Sequence, residues 1–138
     1  MIRSILVAYD GSDPAGKAFT FALDLAKKYQ ASLVVLAVSK PPDFAEDVET
    51  EAILENSKNH YRDLLSNLKP KAQAEGVNAD FEVAVGHPAE QIIHHAEKIN
   101  ADLIVMGHRG KSFFERLRLG SVSRQVIHYA NCAVTVVR

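Results

Sequence analysis

The chain has little cysteine, no long apolar run and no strong excess of charge of one sign. Its single cysteine, Cys132, cannot form a disulfide within the chain, which excludes a disulfide-stapled fold. No stretch approaches the roughly 18 apolar residues of a membrane span. The apolar run at the N-terminus ends at Asp10, too early for a signal peptide. We therefore expect a cytoplasmic protein without a membrane partner.

The charge of the chain is close to neutral but unevenly distributed. A net charge of −1 lacks the basic excess typical of nucleic-acid-binding proteins, so we expect no nucleic-acid partner. Residues 107–124 hold five basic side chains and one acidic side chain, a net of +4, which leaves −5 for the rest. A short cationic segment in an acidic protein indicates an anion site, although a solvated basic loop has the same composition.

Apolar segments rich in β-branched residues alternate with amphipathic segments along the 138 residues. The strands are predicted at residues 5–8, 33–38, 81–85, 103–106 and 133–137. This alternation predicts an α/β domain over residues 1–138, with an open parallel sheet and helices on both faces.

Turn and cap residues predict where the helices begin and end. The first helix starts near Pro14, with Ser12 or Asp13 as its cap. Pro70 should split the second helical region, which follows an acidic, mobile or partly helical connection over residues 43–56. Pro88 opens the next helix, and Ser121 is predicted to cap the last one.

The clearest chemical pattern is Gly107-His108-Arg109-Gly110, nine further residues, and then Gly120-Ser121-Val122-Ser123. It begins at the carboxyl end of a predicted strand and finishes at the start of a helix. Glycines allow close backbone approach and φ > 0, and helix-start amides with serine hydroxyls favour a phosphate. A glycine-tolerant surface loop is the alternative, but the combined pattern favours phosphate binding.

Other nucleotide, metal and catalytic motifs are not supported. Gly110-Lys111-Ser112 resembles the end of a P-loop, but Val105 stands where that motif requires glycine. The turn at residues 10–16 is not G-x-G-x-x-G, so NAD and FAD are not expected. The histidines are scattered, so no metal site is predicted, and Ser12 with Asp10 has no histidine partner for a hydrolase triad.

The spacing G-x-x-G, nine residues, G-[ST] resembles the ATP-binding signature of the universal stress proteins. Residues 5–12 are similar to that family's opening strand and aspartate turn. Residues 101–107 resemble the strand before its glycine loop, and residues 133–137 its closing strand. The resemblance covers the whole chain, and it implies a five-stranded sheet in the order 3-2-1-4-5. In that order Asp10 and Gly107 flank the switch point where open α/β sheets bind ligands.

The resemblance also implies the site. Asp10 would lie near the adenosine, Val38 would meet the adenine edge through its backbone, and the glycine loop would hold the ribose and phosphates. The complete predicted set is Ala8, Tyr9, Asp10, Val38, Met106, Gly107, Arg109, Gly110, Gly120, Ser121, Val122 and Ser123. Ala8 departs from the family, in which many members have proline there. The implied cofactor is ATP, and an accompanying Mg²⁺ is left open.

The implied function is that of an ATP-binding regulator in the stress response, with at most slow ATP hydrolysis and an unidentified protein partner. A homodimer is expected through residues 133–137, since this strand is apolar and lies at the sheet edge in the family's order. Two alternatives are a dimeric interaction module that does not depend on nucleotide and an ATP-hydrolysing or adenylating enzyme. No catalytic residue is predicted.

Overall fold

The computed structural model describes residues 1–41, 48–108 and 120–138. Five strands alternate with helices, as the sequence predicts. The strands are β1 (Ser4–Ala8), β2 (Ser32–Ser39), β3 (Ala79–Val85), β4 (Leu103–Gly107) and β5 (Ala133–Val137). The helices of the described ranges are α1 (Asp13–Tyr29), α2 (Val48–Ser66), α3 (Lys69–Ala74), α4 (Pro88–Lys98) and α5 (Ser121–Tyr129). No helix in these ranges is both long and apolar enough to cross a membrane.

The strands form one parallel sheet in the order β3-β2-β1-β4-β5, which confirms the predicted topology. Strand β1 is central, and its Ile5 lies opposite Leu33 of β2 and Leu103 of β4. The chain runs outward from β1 through β2 to β3, and it then crosses back to β4 on the other side of β1. The direction in which strands are added to the sheet therefore reverses between β1 and β4.

The central strands are buried on both faces, which explains their continuous apolar sequences. Ile5 and Val7 point to one face, where they pack in a cluster with α1, α2 and α3. Leu6 points to the other face, into a cluster with α4 and α5. This alternation follows from the two-residue period of a strand. Helices therefore cover both faces, as predicted.

Local signals determine most helix ends. Ser12 is the N-cap of α1, and its hydroxyl accepts a hydrogen bond from the amide of Ala15. Pro70 lies in the first turn of α3 and separates it from α2. The described part of the predicted acidic connection, from residue 48 on, is helical, and residues 42–47 lie outside the described ranges.

The predicted cap of the last helix was wrong. Gly120 is the N-cap of α5, and Ser121 is its first helical residue. No side-chain hydrogen bond caps this helix within the described ranges. A serine can cap only from the extended residue before the helix, and here that residue is Gly120, with φ −62° and ψ 159°.

Asp102 fastens the amino ends of two neighbouring strands. Its carboxylate oxygen Oδ2 accepts hydrogen bonds from the amides of Arg3, at 2.8 Å, and Ser4, at 3.0 Å. These two bonds lower the pKa of Asp102 below its ordinary value. Burial and the Asp102 charge raise the pKa of the nearby Cys132 thiol, which disfavours the reactive thiolate.

Asp102 should make the free energy of unfolding depend on pH in the acidic range. Its pKa is lower in the folded chain, so its contribution is complete above the ordinary carboxyl pKa and is lost as the pH falls through the folded value. We expect Asp102→Asn to lower the urea midpoint at neutral pH, and the difference from the parent to shrink below about pH 4.

The matched control for Asp102 is Asp24→Asn, which removes a carboxylate whose ion pair with Lys28 is exposed. Such pairs contribute only a few tenths of a kcal/mol, so Asp24→Asn should leave the midpoint nearly unchanged. A difference for Asp102→Asn that persists unchanged into acid would contradict this role.

Candidate functional site

A cavity of about 290 Å³ opens at the carboxyl ends of β2, β1 and β4. It lies at the point where the chain reverses its direction across the sheet. Of the predicted site residues, Ala8, Tyr9, Asp10, Val38, Met106, Gly107, Gly120, Val122 and Ser123 line this cavity. Ser121 is exposed and does not line it, and Arg109 and Gly110 lie outside the described ranges. The tertiary fold thus brings residues from four separate sequence segments to one place.

The turn after β1 presents a carboxylate to the cavity. Asp10 Oδ1 accepts hydrogen bonds from the Ser12 hydroxyl, at 2.5 Å, and from the Ser12 amide, at 3.0 Å. Asp10 is the one carboxylate among the described residues that line the cavity. Burial and the adjacent Asp10 charge raise the pKa of Tyr9, so its phenol stays protonated at neutral pH.

The backbone of Val38 faces the cavity side of β2. The amide of Tyr9 donates to the carbonyl of Leu36, so the Leu36 carbonyl points toward β1. Backbone groups two residues apart on a strand point the same way, and the last β1–β2 pair is Ala8 with Leu36. The amide and carbonyl of Val38 therefore extend past the end of β1, where a ligand can reach them.

Gly107 is required for a reason that the sequence did not reveal. A Cβ atom there would lie 2.4 Å from the carbonyl carbon of Pro14 and 2.7 Å from the amide nitrogen of Ala15. The absence of a side chain therefore lets the end of β4 touch the backbone at the start of α1. The positive φ that the motif suggested is not found at Gly107 or at Gly120. The reason for glycine at position 107 is instead its close contact with the backbone of α1.

Three helices direct their N-termini at the cavity. Pro14 and Ala15 of α1, Pro88 of α4, and Val122 and Ser123 of α5 all line it. Each helix start carries the positive end of the helix dipole, so this end of the sheet favours a negative ligand.

The three helix starts differ in how far their positive ends are already compensated. The first turn of α1 contains Asp13, and its cap residue is Ser12. The first turn of α4 contains Glu90. The first turn of α5 has no acidic residue and no side-chain cap within the described ranges. The start of α5 is therefore the best place for phosphate oxygens in this cavity.

The predicted site did not include three polar residues of the cavity, Ser12, Lys40 and Tyr61. Lys40 lies two residues after Val38, so the strand period could have indicated that both share one side. Lys40 is the one cationic side chain among the described residues that line the cavity. Tyr61 carries no local signal of its place in the cavity, because nothing in the sequence shows that α2 reaches the sheet edge.

The apolar part of the cavity comes from both clusters of the core. Leu36, Ile92 and Met106 belong to the cluster on the α4 and α5 face. Tyr9 and Tyr61 pack against the cluster on the α1 and α2 face. The cavity therefore combines apolar and aromatic walls with the acid-free start of α5, which suits a flat base joined to a phosphate.

Comparisons with known proteins agree with this arrangement. The family model described as "Universal stress protein family" matches residues 1–138. The universal stress protein YxiE of Bacillus subtilis is 37% identical over 153 residues, covering 100% of both chains. The structure of the universal stress protein UspA from Lactobacillus plantarum is 29% identical, with a TM-score of 0.89, covering 99% of this chain and 98% of that one.

A third similar protein was solved with a nucleotide. The universal stress protein from Archaeoglobus fulgidus in complex with dAMP is 25% identical, with a TM-score of 0.69. The match covers 100% of each chain.

The role of Gly107 in packing leads to a prediction with an internal control. Gly107→Ala should destabilise the fold by roughly 1–3 kcal/mol, because the new methyl group collides with the α1 backbone. Gly16→Ala makes the same chemical change inside α1, where a Cβ meets nothing within 4 Å. It should stabilise the fold by up to about 1 kcal/mol. Urea denaturation measures both, and shifts in the same direction would contradict the assignment.

Proposed function

The chain belongs to the universal stress protein family, and on that premise we propose that it binds ATP in the cavity at the ends of β2, β1 and β4. In this proposal it acts as a nucleotide-dependent regulator in the stress response, with at most slow hydrolysis. The observation that carries the proposal is the combination in one cavity of apolar walls with an acid-free helix start.

Asp10 and the acid-free start of α5 indicate how the nucleotide would lie. Asp10 repels phosphate, so the phosphates belong at the other end, on the amides of α5 beside Ser123. The base then lies over β2, against Leu36 and Val38. The Val38 amide and carbonyl match the N1 acceptor and N6 donor of adenine. Guanine reverses this pattern and would leave buried groups unpaired, at about 1–3 kcal/mol each.

The placement of Asp10 favours binding over rapid hydrolysis. A hydrolytic base must lie within hydrogen-bond reach of the water that attacks the terminal phosphate. Asp10 is the one carboxylate among the described residues of the cavity, and one of its oxygens is engaged by Ser12. It lies after β1, away from the α5 end. This arrangement supports a regulator that senses nucleotide.

A negative charge at the start of α5 should separate nucleotide binding from folding. Ser121→Glu places a carboxylate at the first helical position, where the helix dipole favours it. We expect an unchanged or higher urea midpoint but at least about tenfold weaker ATP binding by calorimetry, because like charges repel. Adenosine, which has no phosphate, should bind Ser121→Glu as it binds the parent.

The control for that experiment is Gln125→Glu, which adds the same charge on the exposed surface of α5. Gln125→Glu should bind ATP as the parent does. Base preference is tested separately: in the parent, GTP should be about a tenfold weaker competitor than ATP. Unchanged ATP affinity in Ser121→Glu would reject the phosphate site, and equal competition by GTP would reject the adenine pocket.

We also propose that the chain forms a homodimer through β5. Among the strands that the structure describes, it pairs with β4 alone, and it carries no charged side chain over Ala133–Val137. The opposite edge strand, β3, carries Asp80 and Glu82, which oppose pairing with another chain. The two edges are thus protected unequally, and β5 is the one suited to a second copy.

Helix α1 extends the apolar surface beside this edge. Lys27 forms an ion pair of 2.7 Å with Glu75, which directs that flank of α1 toward α3. Phe21, Leu25 and Tyr29 recur every four residues on the opposite flank, toward β5. Phe21 and Tyr29 are 42% and 47% exposed. A second copy at β5 would cover part of this stripe.

Thr135→Lys tests the dimer. Thr135 is the central residue of β5, so a two-fold axis through the strand would bring two lysines together. Val134 and Val136 are avoided because they pack inward against the α4 and α5 cluster. We expect the parent to scatter light as a dimer and Thr135→Lys as a monomer with a similar melting midpoint. Glu82→Lys, on the other edge, should remain a dimer. A monomeric parent would reject the interface.

A further inference from the structure

Helix α2 forms one wall of the cavity through Tyr61. This tyrosine lines the cavity and packs against the core cluster on the α1 and α2 face of the sheet. Ile92 of α4 lines the same cavity and belongs to the cluster on the opposite face. The cavity therefore lies between an aromatic ring from one helical layer and an aliphatic side chain from the other.

The backbone of Val38 determines how a base would lie between these two side chains. Backbone amides and carbonyls of a strand point toward the neighbouring strands, within the plane of the sheet. A base whose edge bonds to the Val38 backbone therefore lies close to that plane. Its two faces then turn toward the two helical layers, one face toward Ile92 and the other toward Tyr61.

Two contacts hold α2 on either side of Tyr61. Four residues earlier, the Ser57 hydroxyl shares a hydrogen bond of 2.8 Å with the hydroxyl of Ser39, which is fully buried. Three residues later, Leu64 lies against Gly11, where an added Cβ atom would come within 2.8 Å of Leu64 Cδ1. Residues three and four apart share one face of a helix. These contacts therefore present the Tyr61 ring toward the sheet edge.

Adjacent residues of β2 supply the edge that bonds the base and the attachment of α2. Successive side chains of a strand point to opposite faces. The Ser39 side chain accordingly meets α2, while the Val38 side chain packs against the α4 and α5 cluster. The position of the Tyr61 ring is thus fixed relative to the Val38 backbone.

From this geometry, and resting on the proposed nucleotide site, we infer that Tyr61 recognises the base by stacking on one of its faces. Ser57 is a positioning residue that acts through Tyr61. Stacking on an aromatic ring favours any flat base over a ligand that has none. Tyr61 therefore contributes affinity for the base, while the Val38 backbone contributes the choice among bases.

The test compares ATP with inorganic tripolyphosphate, which has phosphates but no base, by calorimetry. We expect Tyr61→Leu to weaken ATP binding at least about fivefold, because the stacking is lost, and to change tripolyphosphate binding by less than about twofold. The conservative variant Tyr61→Phe keeps the ring and should bind ATP as the parent does. The matched control is Tyr129→Leu, since Tyr129 is 64% exposed on α5 and does not line the cavity. It should change neither affinity.

A double-substitution cycle shows whether Ser57 acts through Tyr61. Ser57→Ala removes the bond to Ser39 and should weaken ATP binding about threefold, with tripolyphosphate binding unchanged. In the Tyr61→Leu background, Ser57→Ala should weaken ATP binding no further.

Nuclear magnetic resonance tests the stacking in the parent itself, independently of any loss of stability in a variant. The chain has four tyrosines and no tryptophan, so labelled tyrosine rings give few signals, and Tyr61→Phe identifies the signal of Tyr61. ATP should shift that signal upfield, because protons over the face of an aromatic base are shielded. Tripolyphosphate should not shift it.

Three results would overturn this inference while leaving the proposed function in place. They are parental ATP affinity in Tyr61→Leu, equal losses for ATP and tripolyphosphate in that variant, and an ATP-induced shift confined to Tyr9, the other tyrosine of the cavity. A parent that binds no ATP at all overturns the proposed function, and this inference with it.

Discussion

Burial of the central strands on both faces is the constraint from which the rest of the architecture follows. Ile5, Leu6 and Val7 are fully buried, and so are Val35 and Val105 on the neighbouring strands. Such strands need helices on both faces of the sheet, which parallel crossover connections supply. The helices begin where the strands end, so several helix starts gather at one edge of the sheet. The cavity is the space between the two helical layers at that edge.

The same constraint explains why one cavity has two chemically different ends. Core residues such as Leu36 of β2 and Met106 of β4 continue into it from the sheet and make its sheet side apolar. Helix starts make its other side rich in free amides. The α1 start is already compensated by Ser12 and Asp13, and that leaves the α5 start for a ligand. The absence of a side chain at Gly107 places the end of β4 directly against the start of α1.

The two ends of the sheet carry different kinds of carboxylate. At the amino end, Asp102 Oδ2 accepts hydrogen bonds from the amides of Arg3 and Ser4 and so joins β4 to β1. At the carboxyl end, Asp10 lines the cavity and is held through Oδ1 by Ser12. One aspartate therefore joins two strands, while the other borders the cavity. Their sequence neighbourhoods alone do not separate these roles, since both lie in polar turns beside buried strands.

The sequence by itself determined the succession of strands and helices, because apolar periodicity, proline and cap residues act over a few neighbouring residues. It also indicated the family, the sheet order that the family implies, and most of the residues that line the cavity. Local reasoning failed at Ser121, where one residue of shift changes a cap into the first helical residue. It failed again at Gly107, whose reason is contact with Pro14, far away in sequence. Only the tertiary structure brought Lys40 and Tyr61 to the cavity. Those features depend on which strand ends first and which helix crosses over it, and no spacing within the chain encodes such contacts between distant segments.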